Sequence, residues 1–202
     1  MAAFYTESDY ENALIELFGN TLGYECVCGY DIDHNVKSPL YDTVLEESVF
    51  RINKGKPYGA IQNALLTLRN FENGTLVQKN AVFTDYLQNG ISARYTENGE
   101  ERSALIYLID WDNIENNSFI CANQWTFIEN SNRRPDILLF INGLPLVLIE
   151  LKSPSRENTD ASEGYTQIRN YMHEIPSMFI YNCICVMSCL LYTSDAADDR
   201  IS

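Results

Sequence analysis

The chain has 202 residues, and its 28 acidic and 14 basic residues give a formal net charge of −14 at pH 7. This length fits one domain with a full hydrophobic core, while the acidity argues against a broad nucleic-acid-binding surface, which is normally basic. The frequent apolar and aromatic residues argue against a disordered chain, and neither a long apolar run nor a basic-then-apolar leader occurs, so we expect a soluble, cytoplasmic protein.

The first predicted element is an amphipathic helix over residues 7–18, where apolar residues recur at helical spacing. Ser8 and Glu11 fit a capping box at its start, and Gly19 fits its end. A short strand is predicted within residues 22–30, and a loop-rich region follows it.

Six further elements precede the most informative part of the chain. They are a short helix over residues 44–51, helices over 57–71 and 80–88, and strands over 91–95, 104–109 and 118–127. Asp110 and Asp112 lie in a polar loop between two of these strands. They could bind a metal, but turn formation and helix capping fit the pattern better.

A hairpin around Asn142-Gly143 is the central prediction, because this dipeptide is the strongest short-range hairpin signal. The first strand follows Asp136. The second runs from Leu146 with no polar side chain before Glu150, which predicts a strand buried on both faces of a layered α/β sheet. A carboxylate at the end of such a strand is costly unless it is paired or bound to a cation.

The register of this hairpin decides whether Asp136 can work with Glu150 and Lys152, which share one face of the second strand. A two-residue loop places Asp136 opposite Ile149, on the other face. A three-residue loop with Gly143 at a bulge position places it opposite Leu148, on the same face. If the three residues act together, we therefore expect a loop of odd length.

A helix over residues 161–172, capped by Thr159 or Asp160, is predicted after the hairpin, and a strand within residues 181–187 follows. Gln167 and Tyr171 lie four apart, on one face of this helix.

Zinc binding is not favoured by the cysteines and histidines of the chain. The two Cys-x-Cys pairs lack the two-residue spacing of a zinc knuckle, and only His34 and His173 accompany them. We expect reduced, mostly buried thiols at all six cysteines: Cys26, Cys28, Cys121, Cys183, Cys185 and Cys189.

The Pro-Asp ending at Asp136, followed by the Glu-Leu-Lys that begins at Glu150, resembles the PD-(D/E)xK nuclease motif. The longer run Arg-Arg-Pro-Asp-Ile-Leu-Leu-Phe-Ile-Asn-Gly-Leu-Pro-Leu-Val-Leu-Ile-Glu-Leu-Lys-Ser-Pro resembles the signature of the N-terminal nuclease domain of the restriction (R) subunit of Type I restriction–modification enzymes. The segment Ile-Asp-Trp-Asp-Asn-Ile-Glu-Asn-Asn-Ser-Phe resembles the same domain. The resemblance covers nearly all of residues 1–188.

The resemblance implies a restriction-endonuclease-like α/β fold, with a mixed central β-sheet flanked by helices. It implies Asp136, Glu150 and Lys152 as catalytic residues of a DNA endonuclease. It also implies a Mg²⁺ site, since hard oxygen ligands suit this ion. The implied ligands are Asp136, Glu150, the carbonyl of Leu151 and an acidic residue on the first helix, which Glu11 matches best. Gln167 and Tyr171 match a Gln-x-x-x-Tyr motif that orients DNA or the catalytic groups.

The whole R subunit implied by the resemblance would act on double-stranded, unmodified foreign DNA beside methyltransferase (M) and specificity (S) subunits. Its helicase-like motor would use ATP, but no phosphate-binding loop motif occurs in this chain. Residues 1–188 are then the nuclease domain, and residues 189–202 depart from the family and are interpreted as a non-native tail. Two alternatives stay open: a stand-alone restriction or repair nuclease, and a catalytically idle module for assembly or DNA docking.

Overall fold

The computed structural model describes residues 6–152 and 161–189. The helices are α1 (Glu7–Glu16), α2 (Asp42–Ile52), α3 (Tyr58–Arg69), α4 (Leu76–Asn89), α5 (Ala161–Glu174) and α6 (Met178–Tyr181). The strands are β1 (Glu25–Cys28), β2 (Ile91–Glu97), β3 (Glu100–Ile106), β4 (Phe119–Asn123), β5 (Phe127–Ile128), β6 (Asn132–Arg133), β7 (Ile137–Ile141), β8 (Leu144–Lys152) and β9 (Ile184–Cys189).

A five-stranded mixed sheet forms the centre of the molecule, with strand order β1-β4-β7-β8-β9. The pairs β1–β4 and β8–β9 are parallel, whereas β4–β7 and β7–β8 are antiparallel. Two small antiparallel pairs, β2–β3 and β5–β6, lie outside it. The expected α/β class with a mixed central sheet flanked by helices is confirmed, and β8 is an inner strand as its apolar run predicted.

Both faces of β7 and β8 are buried. On one face, Ile137 and Ile149 pack against the apolar side of α1. On the other, Leu138 and Leu148 pack against α5. Each fully buried aliphatic side chain of this kind contributes about 1.5–3 kcal/mol to folding, so the two helical layers fix the sheet from both sides.

The hairpin between β7 and β8 has a two-residue loop, so the expectation of an odd loop is wrong. Asn142 and Gly143 both have positive φ, 52° and 78°, and Ile141 pairs with Leu144. The register then shifts, because Phe140 pairs with Pro145 while Leu139 pairs with Val147. Leu146 is the extra residue of a β-bulge, at a point where proline supplies no N–H for the ladder.

Asn142 anchors the hairpin turn to a second core built on α2, α3, α4 and β2–β3. It is fully buried, donates to the carbonyl of Leu108 and to Oδ1 of Asn117, and accepts from the N–H of Ser118. The helices that form this core were all predicted, within a few residues. The core therefore holds the turn end of the hairpin, while the opposite end carries Asp136 and Glu150.

Helix α1 begins at a different cap from the predicted one. Thr6 and Asp9 form the capping box, not Ser8 and Glu11. Gly19 does not end the helix, since the chain continues through a π-helical turn over Leu17–Thr21. The strand predicted over residues 118–127 breaks after Asn123, where Gln124 has a φ of 53°.

The thiols are less buried than expected among the residues that the structure describes. Cys121 is buried, but Cys26 and Cys183 are exposed, and Cys28 and Cys185 are half-buried. The cap predicted at Thr159 or Asp160 and most of the predicted tail lie outside the described residues. Cys189 ends β9.

Candidate active site at one end of the sheet

Asp136 and Glu150 lie across from one another at the end of the β7–β8 pair. Ile137 pairs with Ile149, and continuing this register by one residue places the two carboxylates opposite each other on one face. The N–H of Leu151 donates to Oδ2 of Asp136 over 2.7 Å. The bulge at Leu146 thus places Asp136 and Glu150 on the same face, which the sequence analysis had expected from a loop of odd length.

Glu150 is the most buried charged group of the site, with 3% of the residue exposed. Lys152 Nζ donates to its Oε1 over 2.8 Å, as two residues on one face of a strand predict. The hydroxyl of Tyr171 donates to its Oε2 over 3.2 Å. Each carboxylate oxygen therefore has a partner, which offsets the cost of burying the charge.

Helix α5 brings Gln167 and Tyr171 to this carboxylate. Gln167 Nε2 donates to the hydroxyl oxygen of Tyr171 over 3.0 Å, and that hydroxyl reaches Glu150. Ile168 of the helix, and Ile175 just after its end, are buried in the same core. The four-residue spacing thus produces a chain of hydrogen bonds from Gln167 to Glu150.

The electrostatics of the site set Asp136 apart. Burial, and then the charge of Glu150, raise the pKa of Asp136 to about 7, although the hydrogen bond from Leu151 acts in the opposite direction. Burial alone would lower the pKa of Lys152, but its hydrogen bond and attraction to Glu150 outweigh this and raise it. Burial and the charge of Glu150 also raise the pKa of Tyr171. Lys152 is consequently a cation and Tyr171 a neutral donor at neutral pH.

Helix α1 brings a negative charge to the site at Glu7. The charge of Glu7 contributes to raising the pKa of both Asp136 and Lys152. Glu11 lies one turn along and accepts hydrogen bonds at Oε1 from Asn123 (2.8 Å) and Gln124 (3.1 Å). The sequence offered both glutamates on one helical face, with no signal to choose between them.

The donor set at this end of the sheet fits a hard divalent cation. Among the described residues no group of three or more His, Cys, Asp or Glu side chains has metal-binding geometry, but Mg²⁺ binds through one or two carboxylates and keeps several waters. Asp136 and Glu150 repel each other in a buried setting, so a cation between them would be stabilised. Asp110, by contrast, accepts from the N–H of Asn113 and from Asn116 in its own loop, as a turn-forming residue does.

No helix in the described ranges is long and apolar enough to cross a membrane.

The family model for the N terminus of the Type I restriction enzyme R protein matches residues 4–194. The Type I restriction enzyme HindI endonuclease subunit of Haemophilus influenzae is 31% identical over 192 residues, covering 90% of this chain and 18% of the relative.

A chain of Methanocaldococcus jannaschii described as a type I restriction enzyme MjaIXP endonuclease subunit is 32% identical over 188 residues. That alignment covers 88% of this chain and again 18% of the relative. The chain thus spans about a fifth of the length of these relatives. Nearly all of it matches the family model, and the chain belongs to the family of N-terminal regions of Type I restriction enzyme R proteins.

Proposed function

We propose that this chain is a Mg²⁺-dependent DNA endonuclease domain of the PD-(D/E)xK class, the nuclease part of a Type I restriction enzyme R subunit. One observation carries the proposal: Asp136, Glu150 and Lys152 converge at one end of the central sheet, from two adjacent antiparallel strands. The intact trio argues against a catalytically idle module.

Mg²⁺ bound there would lower the pKa of a water and polarise the substrate phosphate. Asp136 and Glu150 would hold it, and the carbonyl of Leu151 is a third candidate ligand. Glu11 stays a predicted ligand, although Glu7 has the stronger electrostatic contact with the site.

Lys152 supplies positive charge to the reaction. Because its pKa is raised, the ammonium stays protonated at neutral pH, so it orients the attacking water and offsets charge on the phosphorane instead of acting as a base. The ammonium of Lys152 donates to Oε1 of Glu150. If that oxygen binds the metal ion instead, the ammonium is free to face the phosphate.

Gln167 and Tyr171 act in this proposal by fixing Glu150. The Tyr171 hydroxyl donates to Oε2 and is itself held by Gln167, so the carboxylate keeps one orientation. The pair was predicted to orient DNA or the catalytic groups, and these hydrogen bonds support the second role.

The whole subunit would carry functions that this chain does not supply. Since the relatives are about five times longer, we propose that an ATP-driven motor moves double-stranded DNA to this domain. Methyltransferase and specificity subunits would select unmodified foreign DNA, in the cytoplasm.

Cleavage by a Lys152→Ala variant tests the proposal. The full-length R subunit with its partner subunits is incubated with unmodified target DNA and ATP, in Mg²⁺ or in Ca²⁺. We expect cleavage only in Mg²⁺ and a loss of about 10²–10³-fold in rate for Lys152→Ala, as for removal of one transition-state donor. Lys54→Ala, which removes an exposed lysine of the α2–α3 turn, is the matched control. Equal cleavage by Lys152→Ala and the unsubstituted enzyme would refute the mechanism.

A further inference from the structure

Arg134 is a cation beside the candidate site, and no carboxylate of the described residues pairs with it. Within residues 6–152 and 161–189, carboxylates pair with the basic residues Arg69, Arg94, Arg102, Arg133 and Lys152. Arg134 is exposed, and its guanidinium carbon lies 5.2 Å from the centre of the Tyr30 ring. Tyr30 is itself 65% exposed.

The chain direction places Arg134 at the edge of the site. Pro135 follows it and disfavours a helical conformation at Arg134, and Asp136 comes next, before β7. Arg133 pairs with Glu174 at the end of α5, while Arg134 contacts Tyr30 beyond the end of β1. Two residues of chain span at most about 7 Å, so the backbone of Arg134 lies next to that of Asp136.

The contact with the Tyr30 ring is a cation–π contact, and no carboxylate of the described residues occupies the N–H donors of Arg134. These donors lie in the guanidinium plane and match the oxygens of a phosphate. The ring also limits the rotamers of a long side chain, which lowers the entropic cost of binding. Arg134 is therefore a preorganised donor for an anion.

A cation at this position would offset the electrostatic repulsion between the acidic site and a DNA substrate. Asp136 and Glu150 are acidic, Glu7 adds a third charge, and the whole chain carries −14. A polyanionic substrate would be repelled there without a local cation, and Lys152 is already paired with Glu150.

We propose that Arg134, supported by the ring of Tyr30, binds a backbone phosphate of the DNA strand next to the phosphate held at Asp136 and Glu150. The proposal rests on the proposed nuclease function. It makes Arg134 a substrate-positioning residue that affects DNA affinity without taking part in phosphodiester hydrolysis.

The test measures binding of this chain to a fluorescently labelled DNA duplex by anisotropy, with Ca²⁺ in place of Mg²⁺, over KCl from about 50 to 200 mM. For Arg134→Ala we expect about tenfold weaker binding at the lowest salt, as for loss of a charged hydrogen bond. The slope of log affinity against log salt should fall by about 0.9, the value for one phosphate contact. Tyr30→Ala should lose part of the affinity, and Tyr30→Phe should retain it.

Lys54→Ala is the matched control, because it removes the same charge at an exposed position away from the site. Less than a twofold change is expected for it, and circular dichroism melting confirms that each variant folds. Equal effects of Arg134→Ala and Lys54→Ala, or no DNA binding by the unsubstituted chain at the lowest salt, would overturn the proposal. The two proposals fail separately. Equal cleavage by Lys152→Ala and the unsubstituted full-length enzyme would overturn the nuclease mechanism, whereas an Arg134→Ala variant that binds the duplex like the unsubstituted chain would overturn the phosphate contact alone.

Discussion

Replacing Asp136 by asparagine should stabilise the metal-free protein at neutral pH while abolishing Mg²⁺-dependent cleavage. The carboxylate is half-buried opposite Glu150, and burial together with the charge of Glu150 raises its pKa to about 7. An asparagine keeps an oxygen that can accept from the N–H of Leu151, as Oδ2 of Asp136 does. The substitution thus removes a repelling charge and retains the hydrogen bond.

The pKa values give the size and the sign of the effect. The folded-state pKa of Asp136 is about 7, against an ordinary value of 3.8. A carboxyl with a raised folded pKa binds its proton more tightly in the folded state than in the unfolded state. It therefore leaves the free energy of unfolding unchanged below pH ~4 and lowers it by the full amount above pH ~7. At about 1.4 kcal/mol per pKa unit, the penalty approaches ~4 kcal/mol at pH 8. We expect Asp136→Asn to recover about 2–4 kcal/mol of it.

Urea unfolding in EDTA at several pH values between 4 and 8 provides the measurement. The stability of the unsubstituted protein relative to Asp136→Asn should decline as pH rises through this window. Asp112→Asn, at an exposed loop position, should show no such trend. Mg²⁺ should raise the unfolding free energy of the unsubstituted chain but not of Asp136→Asn, because only the former holds both carboxylates. A variant that is less stable than the unsubstituted protein at pH 8, or a difference independent of pH, would refute the reasoning.

Two further substitutions test the supports of the site. Tyr171→Phe removes the hydroxyl that donates to Glu150 and keeps the ring in the core. The kcat for cleavage by the full-length enzyme should therefore fall about tenfold, with KM for DNA unchanged. A change confined to KM would indicate that Tyr171 orients DNA instead. Gly143→Ala should cost at least about 3 kcal/mol in urea unfolding, since a Cβ there would lie 2.6 Å from the Tyr41 carbonyl oxygen and the Leu45 nitrogen. Gly99→Ala, with a similar φ and nothing within 4 Å, should cost only about 1 kcal/mol, and equal losses at the two glycines would show that close approach contributes nothing.

The sequence predicted the location of the hairpin at Asn142-Gly143, but neither its loop length nor its register. A loop of odd length was expected, because a two-residue loop in an unbroken ladder would place Asp136 on the wrong face. The missing information was Pro145. A proline inside an inner strand cannot donate to the ladder and is found at bulges, so its presence one residue before Leu146 was a usable signal. A bulge corrects parity as an odd loop would, but it places Asp136 opposite Glu150 and not opposite Leu148.

The start of the first helix shows a limit of another kind. Thr6-x-x-Asp9 and Ser8-x-x-Glu11 are both capping-box patterns, and they overlap by two residues. The first one forms, which makes Glu7 the first helical residue. Two such local patterns are nearly equal in energy, so tertiary packing can decide between them; Leu14 and Phe18, half-buried against β7 and β8, supply that packing here. The effect of Glu7 on the charges of the site could therefore not be assigned from the sequence.

The balance of charges in the site indicates which carboxylate depends most on a bound cation. Glu150 is compensated within the chain, since Lys152 and Tyr171 occupy its two oxygens. Asp136 accepts one N–H from Leu151 and is attracted by Lys152, but burial and the negative charges of Glu150 and Glu7 outweigh both and raise its pKa. A cation would thus stabilise Asp136 more than Glu150, and protons would compete with it mainly at Asp136. Affinity for Mg²⁺ should then fall as the pH drops below about 7, where Asp136 becomes protonated.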